Sequence, residues 1–382
     1  MQTRIPRKSP SDTRELKQTA KWKHRFVGRE ITQDETTLDI RVTCKDNAQK
    51  ILPINFDLGS RDGESKASEG EMSQLMSVNG SMAFVARMAQ PWQLYGTSRL
   101  QSVSRAAQVK HLNECNEILQ KMTAEAELGL FYKAFAFSWN DAIVLSIGDA
   151  SWANDVLIVE DTVFPRRSQY GRIQLIASPD LWDGDEGYAY YVGAKSGLIN
   201  RVCPSTMKAE THGQLKPKGE EDHIRSFLAE ISGKELKANW LETAREAHKH
   251  LSLTDCKSFE EYVNNPVAAG TEDKRLEIDL EMYRQDLWEN PDGSVKDFIT
   301  ENERDRVRWI DTSTMLADCL TKRTKLKLDR ENRDLFIDFL QTGCVSLKAS
   351  AEAELKKIYQ AACRKKASEK KKSEKANANI EN

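Results

Sequence analysis

The order of strand and helix patterns after Gly129 is the feature that most constrains the fold of this chain. Four short apolar stretches follow one another, and their length and composition are typical of strands. They span residues 131–137, 142–147, 172–177 and 188–192. Helical and strand-like patterns then interleave as far as about residue 325. Consecutive strands followed by interleaved helices predict a mixed α/β domain, in which helices flank one sheet.

The second half of this region alternates helices with two further strands. Residues 207–231 have a helical pattern that Pro217 and Gly219 should interrupt. Residues 250–254 and 306–310 are predicted strands, whereas residues 257–264 and 274–287 are predicted helices. A last helix of this region is expected to begin near Met315. The polypeptide therefore has enough regular elements after Gly129 for one complete sheet with helices around it.

The patterns divide the chain into four segments. Residues 72–88 and 97–122 have helical spacing, and a short hairpin is expected before them, from His24 to Thr43. We therefore predict a basic disordered arm over residues 1–24 and a largely helical connector over 25–128. The α/β domain follows over 129–325, and a helical, lysine-rich tail over 326–382.

Basic residues are concentrated at the two ends of the chain, although the formal net charge is only -2. Residues 1–29 hold nine Lys or Arg against two acidic side chains, and residues 364–372 contain two further basic runs. Basic flanks favour nucleic acid as a partner. An equally open interpretation is that the charged ends only keep the chain in solution.

Cysteine spacing and hydropathy indicate the cellular compartment in which the protein is expected. The seven cysteines are dispersed with no C-x-x-C pair, which argues against a zinc site and favours a reducing environment. No apolar stretch approaches the roughly 18–20 residues that a membrane span needs, and the N-terminus lacks an apolar signal core. We therefore expect a soluble protein of the cytoplasm or nucleus, without contact with a membrane.

Four carboxylates stand at the ends of predicted strands or the starts of predicted helices: Asp149, Glu210, Asp255 and Asp318. Such positions meet at one edge of the sheet in layered α/β domains. Converging carboxylates repel one another unless cations neutralise them, and hard oxygen ligands suit Mg²⁺ or Mn²⁺. Two such ions about 4 Å apart can activate a water and stabilise the leaving oxygen of a phosphodiester. Taken alone, an acid at such a position is more often a cap or a loop residue than a metal ligand.

Six short motifs support this interpretation by their order along the chain. Residues 148–155 read GDASWAND, residues 166–171 RRSQYG, and residues 195–210 begin KS and end STMKAE. Residues 254–258 read TDCKS, residues 274–279 KRLEID, and residues 316–322 LADCLTK. Together they resemble the ribonuclease H domain of copia-type retrotransposon polyproteins, whose motifs include DADWAGD, STxEAE and ADILTK. The ADxLTK match argues against an exonuclease or transposase of the same superfamily.

This resemblance implies a ribonuclease H-like fold and cleavage of the RNA strand of an RNA–DNA hybrid with Mg²⁺ or Mn²⁺. It also implies a role for each acid. Asp149 would bridge both ions, Glu210 and Asp255 would hold the ion beside the leaving oxygen, and Asp318 the ion that activates water. Four basic side chains are weaker candidates for contacts with phosphates, and a solvated surface position is equally open for them: Arg166, Arg167, Lys195 and Lys322.

The upstream half resembles the segment that follows the reverse transcriptase palm in the same polyproteins, in FVGREITQ at residues 26–33 and in residues 75–87. The polymerase motif Y-V-D-D is absent, and no Asp-Asp pair occurs in the sequence. The resemblance thus implies a C-terminal piece of a polyprotein, with the polymerase domain of that polyprotein as a possible partner.

Several positions depart from the motifs of the family. Ser151 replaces the second aspartate of DADWAGD, Thr211 the tyrosine after the glutamate, and Arg275 the histidine of KHIDI. Pro217 and Gly219 interrupt the helix that follows Glu210 in the sequence. A second hypothesis therefore stays open, in which the chain is a catalytically inactive remnant that at most binds nucleic acid.

Overall fold

A computed structural model of the chain describes residues 20–159, 162–215, 218–265, 270–288, 304–323 and 327–348. The backbone in these ranges forms ten strands and ten α-helices, distributed over two sheets and the layers around them. Within these ranges no helix is both long enough and apolar enough to cross a membrane.

A small antiparallel sheet opens the described chain. It consists of β1 (Ala20–Phe26), β2 (Arg29–Asp34), β3 (Ile40–Thr43) and β4 (Leu130–Tyr132), paired in that order. Val27 and Gly28 join the first two strands with φ angles of 49° and 74°, which is typical of the two-residue turn of a twisted hairpin. The predicted hairpin is therefore present. Residues 20–24 were expected in a disordered arm but lie in β1, and residues 1–19 lie outside the described part.

Four helices follow the first three strands of this sheet. They are α1 (Lys45–Lys50), α2 (Glu69–Met88), α3 (Leu94–Val103) and α4 (Val109–Ala124). A capping box starts α2, in which Ser68 Oγ accepts from the Glu71 amide at 3.3 Å and Glu71 Oε2 accepts from the Ser68 amide at 2.8 Å. The sequence predicted one helix over 97–122, but a 3₁₀ turn at Ser104–Ala106 divides it into α3 and α4.

The larger sheet has six strands in the order β10-β7-β6-β5-β8-β9. Its antiparallel centre is formed by β5 (Ile143–Val159), β6 (Thr162–Ala177) and β7 (Glu186–Leu198). The next two strands, β8 (His250–Thr254) and β9 (Asp305–Trp309), run parallel to β5. The last, β10 (Cys344–Ser346), pairs with the start of β7. The sheet therefore contains both parallel and antiparallel strand pairs.

Six helices accompany this sheet. They are α5 (Thr206–Leu215), α6 (Lys218–Ile231), α7 (Trp240–Ala247), α8 (Lys257–Asn264), α9 (Lys274–Trp288) and α10 (Lys327–Thr342). Of the two residues predicted to interrupt this helical stretch, Pro217 lies outside the described residues and Gly219 lies in the first turn of α6. A mixed sheet with helices around it confirms the predicted fold class, and the strand order is consistent with a ribonuclease H-like fold.

The structure differs from the sequence-based expectation at several boundaries. The strand expected over 131–137 is only Leu130–Tyr132, and it pairs with β3 of the small sheet. Asp149 lies inside the 17-residue strand β5 instead of at its end. Arg166 and Arg167, expected in a turn, lie in β6. The helix expected from Met315 is the short 3₁₀ helix Leu316–Leu320. In each case pairing with a distant strand or packing over the sheet overrides the local pattern.

The segment after residue 325 is helical at first, as predicted, and then adds β10 to the larger sheet. Its lysine-rich end after residue 348 lies outside the described part.

One hydrophobic core joins the connector helices to the larger sheet. Buried side chains of α2 and α3, such as Met82 and Leu100, belong to the same cluster as Leu145 and Ile173 of the central strands. A polar contact adds to it, because Gln169 Nε2 donates to Ser98 Oγ at 3.2 Å. The connector is therefore packed against the sheet.

Candidate metal centre

The register between β5 and β8 places two aspartates side by side. The two strands are parallel, and Ile147 lies opposite Leu253. Asp149 and Asp255 each follow two positions later, so both emerge where the two strands part. Asp149 is 2% exposed, although it is a carboxylate in the interior of a sheet. Such burial requires partners that compensate for the lost hydration.

Glu210 reaches the same place from helix α5. Close packing of the helix on β5 depends on Gly148, because a Cβ atom there would lie 2.7 Å from Nε2 of Gln214. The Gln214 amide uses this proximity and donates to the Gly148 carbonyl at 2.8 Å. Glu210 Oε2 in turn accepts a hydrogen bond from the Ala150 amide at 3.1 Å. The helix and the strand therefore hold the Glu210 carboxylate in a defined position.

The structure brings three of the four predicted carboxylates into one group. Asp149, Glu210 and Asp255 each offer an oxygen, and these oxygens all lie within 4.8 Å of one another. Oxygen ligands about 2.1 Å from a Mg²⁺ ion lie within about 4.2 Å of one another. The separation is therefore close to that of ligands sharing one ion, and the donor set is the hard, anionic kind that Mg²⁺ and Mn²⁺ prefer.

Asp318 lies beside this group and has a different partner. It is 1% exposed, and its Oδ1 accepts a hydrogen bond from Lys322 Nζ. Its charge nevertheless reaches the group, because it raises the pKa values of Asp149 and Asp255. Thr321 ties the two parts together, since its hydroxyl is within hydrogen-bond distance of Asp149 Oδ2 and of the Asp318 carbonyl.

Burial and mutual repulsion raise the pKa values of all three grouped carboxylates. Burial raises the pKa of Asp149 to about 7, against the opposing charge of Lys322 and with the added repulsion of Asp255 and Asp318. Burial also raises the pKa of Glu210 well above its usual value, with Asp149 as the next cause. In Asp255, burial outweighs the hydrogen bond from Thr312 that acts in the opposite direction. A divalent cation would counteract these shifts by stabilising the ionised forms.

The predicted phosphate-contacting residues are not gathered at one place. Arg166 and Lys195 have exposed side chains on β6 and β7. Arg167 donates to the Asn200 carbonyl at 3.0 Å, so part of its guanidinium group serves the fold. Lys322 donates a hydrogen bond to Asp318, beside the carboxylate group. Thr321 was not among the predicted site residues, although the sequence places a hydroxyl and an ammonium group three and four positions after Asp318.

Comparisons with known proteins add little to this geometry. No protein-family model matches the sequence, and no curated protein is significantly similar to it. Among solved structures, the chain is similar to the N-terminal RNase H domain of Rv2228c from Mycobacterium tuberculosis, determined as a fusion with maltose-binding protein. The identity is 12% and the TM-score 0.26, over 50% of this chain and 97% of that chain.

A TM-score of 0.26 carries no weight for the fold or the function. The class of the protein therefore rests on its own strand order and side chains. Together they define a mixed α/β domain, consistent with a ribonuclease H-like fold, with a group of three carboxylates, two of them buried and Asp255 half-buried.

Proposed function

We propose that this chain is a ribonuclease H-type endonuclease of a copia-type retrotransposon polyprotein, which hydrolyses the RNA strand of RNA–DNA hybrids. The observation that carries the proposal is the convergence of Asp149, Glu210 and Asp255, from three separate elements, within 4.8 Å. Carboxylates that repel one another and are largely removed from water destabilise a fold, so the convergence of buried Asp149 and Glu210 with half-buried Asp255 favours a functional role. The motif resemblance supports the choice of reaction and of polyprotein.

The three grouped carboxylates would hold one divalent ion, and Asp318 with Asp149 would hold a second. Bound Mg²⁺ or Mn²⁺ ions supply an activated water and stabilise the leaving oxygen of a phosphodiester. The contribution of the chain is to fix the ligands. The Ala150 amide orients Glu210, and Thr321 orients Asp149. The buried surroundings keep bulk water from competing for the carboxylates.

The substrate and partner follow from the resemblance and from general recognition rules. An RNA–DNA hybrid is distinguished by its A-like shape and by 2′-hydroxyl groups, so we expect little preference for base sequence. Exposed cations such as Arg166 and Lys195 would contact phosphates. A polymerase domain of the same polyprotein would be the natural neighbour, because the connector helices already pack on the sheet.

A second candidate function is a catalytically inactive remnant that binds nucleic acid at most. Two observations favour it. Lys322 already supplies a positive charge to the carboxylates, which lessens their need for a metal ion. The departures of Ser151, Thr211 and Arg275 from the motifs of the family also favour it.

Cleavage of a labelled RNA–DNA hybrid in the presence of Mg²⁺ separates the two candidates. We expect the wild-type chain to cut the RNA strand and the Asp149→Asn variant to lose this activity. Hybrid binding by the variant should be nearly unchanged, because contacts with phosphates dominate the affinity. The matched control is Asp141→Asn, which neutralises an exposed aspartate outside the group. A wild-type chain that leaves the hybrid intact would support the remnant.

A further inference from the structure

Lys322 extends its ammonium group into a cluster of acids. Nζ donates a hydrogen bond to Oδ1 of Asp318, whose side chain is 2% exposed. The same positive charge acts on Asp149 and Asp255, and all three carboxylates raise the pKa of Lys322 against the effect of its own burial. The ammonium group therefore neutralises part of the metal-binding cluster, and it does so on the side of Asp318.

The backbone that carries Lys322 is fixed on the sheet. Ser196 of β7 donates its hydroxyl to the Leu320 carbonyl at 2.6 Å. Leu320 also packs directly on Gly171 of β6. A Cβ atom added to Gly171 would lie 2.6 Å from the Cβ atom of Leu320. The Thr321 hydroxyl completes the attachment through Asp149. Because these three contacts hold Leu320 and Thr321 in place, Lys322 leaves Asp318 by rotating its own side chain.

Charge balance decides how many divalent ions the cluster accepts beside Lys322. Asp149, Glu210, Asp255 and Asp318 supply four negative charges when ionised. One divalent ion and the ammonium group together supply three positive charges, whereas two divalent ions and the ammonium group would supply five. An excess of positive charge around the Asp149 and Asp318 carboxylates, which are both buried, is unfavourable. The second ion and the ammonium group therefore compete for the same carboxylates.

We propose that Lys322 occupies the position of the second cation in the free protein, so that the free protein binds a single divalent ion. The three grouped carboxylates hold that ion, and the position at Asp318 opens only when Lys322 rotates away. Lys322 is then a positioning residue that sets the metal stoichiometry. This inference rests on the proposed function, because it takes the cluster to be a site for divalent cations.

The experiment counts Mn²⁺ ions bound to the full chain, by calorimetric titration and by the paramagnetic resonance signal of free Mn²⁺. We expect one ion per wild-type chain. Lys322→Met removes the ammonium group but keeps an unbranched side chain, and we expect two ions. Lys322→Arg keeps the charge and should bind one. Arg323→Met is the matched control and should also bind one, because the Arg323 guanidinium group binds Glu114 Oε1 at 2.7 Å.

A wild-type count other than one overturns the inference, whatever the variants do. Two ions on the wild-type chain would overturn it and leave the proposed nuclease function standing. A single ion bound to the folded Lys322→Met variant would likewise overturn the inference and leave the proposed nuclease function standing. No ion on either protein would remove the proposed metal-dependent function as well. If circular dichroism shows Lys322→Met to be unfolded, Lys322→Gln takes its place.

Discussion

The hydroxyl of Thr321 donates a hydrogen bond to Oδ2 of Asp149, which lies 172 positions earlier in the chain. This contact joins the turn after Asp318 to the centre of the larger sheet. Asp149 is deeply buried, so the loss of a donor would leave part of a carboxylate without a partner.

Thr321→Val should therefore lower the free energy of unfolding by about 1–3 kcal/mol, because a buried acceptor loses its donor. Thr321→Ser keeps the hydroxyl group and should lose less than the valine variant. Chemical denaturation in EDTA measures both changes. Equal stability of wild type and Thr321→Val would contradict the role given to this hydrogen bond.

Divalent metal should raise the melting temperature of the wild-type chain. A ligand present at 100 times its dissociation constant stabilises the folded state by about 2.7 kcal/mol. Asp149→Asn removes a grouped ligand, so we expect most of the shift produced by millimolar Mg²⁺ or Mn²⁺ to disappear. Differential scanning fluorimetry with and without EDTA measures the shift. An unchanged shift in Asp149→Asn would place the bound ion elsewhere.

Without metal, stability should fall as the pH rises towards 7. Burial raises the pKa of Asp149 in the folded state to about 7, whereas the unfolded value is about 3.9. Because the pKa of Asp149 is higher in the folded state, its contribution to the free energy of unfolding is fully present at pH values below its pKa in the unfolded chain. This contribution is lost as the pH rises through the pKa of Asp149 in the folded state.

Denaturant titrations in EDTA between pH 4 and 8 test this dependence. Asp149→Asn cannot titrate at this position and should have a flatter profile over the same window. Saturating Mn²⁺ should also reduce the loss of stability at higher pH, because it stabilises the ionised carboxylates. A wild-type profile that stays flat in EDTA would contradict the raised pKa.

Close packing at Gly171 should be intolerant of even a methyl group. A Cβ atom there would lie 2.6 Å from Leu320 Cβ and 2.9 Å from the Ala317 carbonyl, both in the turn that carries Asp318. Gly171→Ala should therefore destabilise the fold by about 1–3 kcal/mol. It should also weaken metal binding by displacing the turn.

Gly193→Ala on the neighbouring strand is the matched control. A Cβ atom at Gly193 would meet no heavy atom within 4 Å, so this variant should stay within about 0.5 kcal/mol of wild type. Thermal unfolding and calorimetric Mn²⁺ titration compare the two. If both glycine variants have the same stability and the same Mn²⁺ affinity, the close contact between Gly171 and Leu320 does not determine either property.

Much of the larger sheet is predictable from local pattern, because strands such as β8 and helices such as α8 match their predicted spans. The meeting of Asp149 with Asp255 is also foreseeable, since parallel strands bring their carboxyl ends together. The length of β5 could not be predicted from the sequence, because it depends on pairing with β6 after Asp149.

The position of Lys322 could not be read from the sequence either. A lysine four residues after an aspartate is common on solvated helices. Only the packing of the 3₁₀ turn on Gly171 and Ser196 directs its side chain inward. Likewise, the assignment of Leu130–Tyr132 to the small sheet follows from pairing with β3, 88 or more positions earlier in the chain.

The continuous core shared by Met82, Leu100, Leu145 and Ile173 has a consequence for the inheritance of this protein. Two parts that bury each other's apolar side chains cannot be exchanged separately by recombination without exposing those surfaces to water. Strand β4 strengthens this restriction, since it pairs with the small sheet just before the chain enters the larger one. The connector and the α/β domain are therefore expected to diverge as one unit, with substitutions on one side of the core accompanied by compensating substitutions on the other.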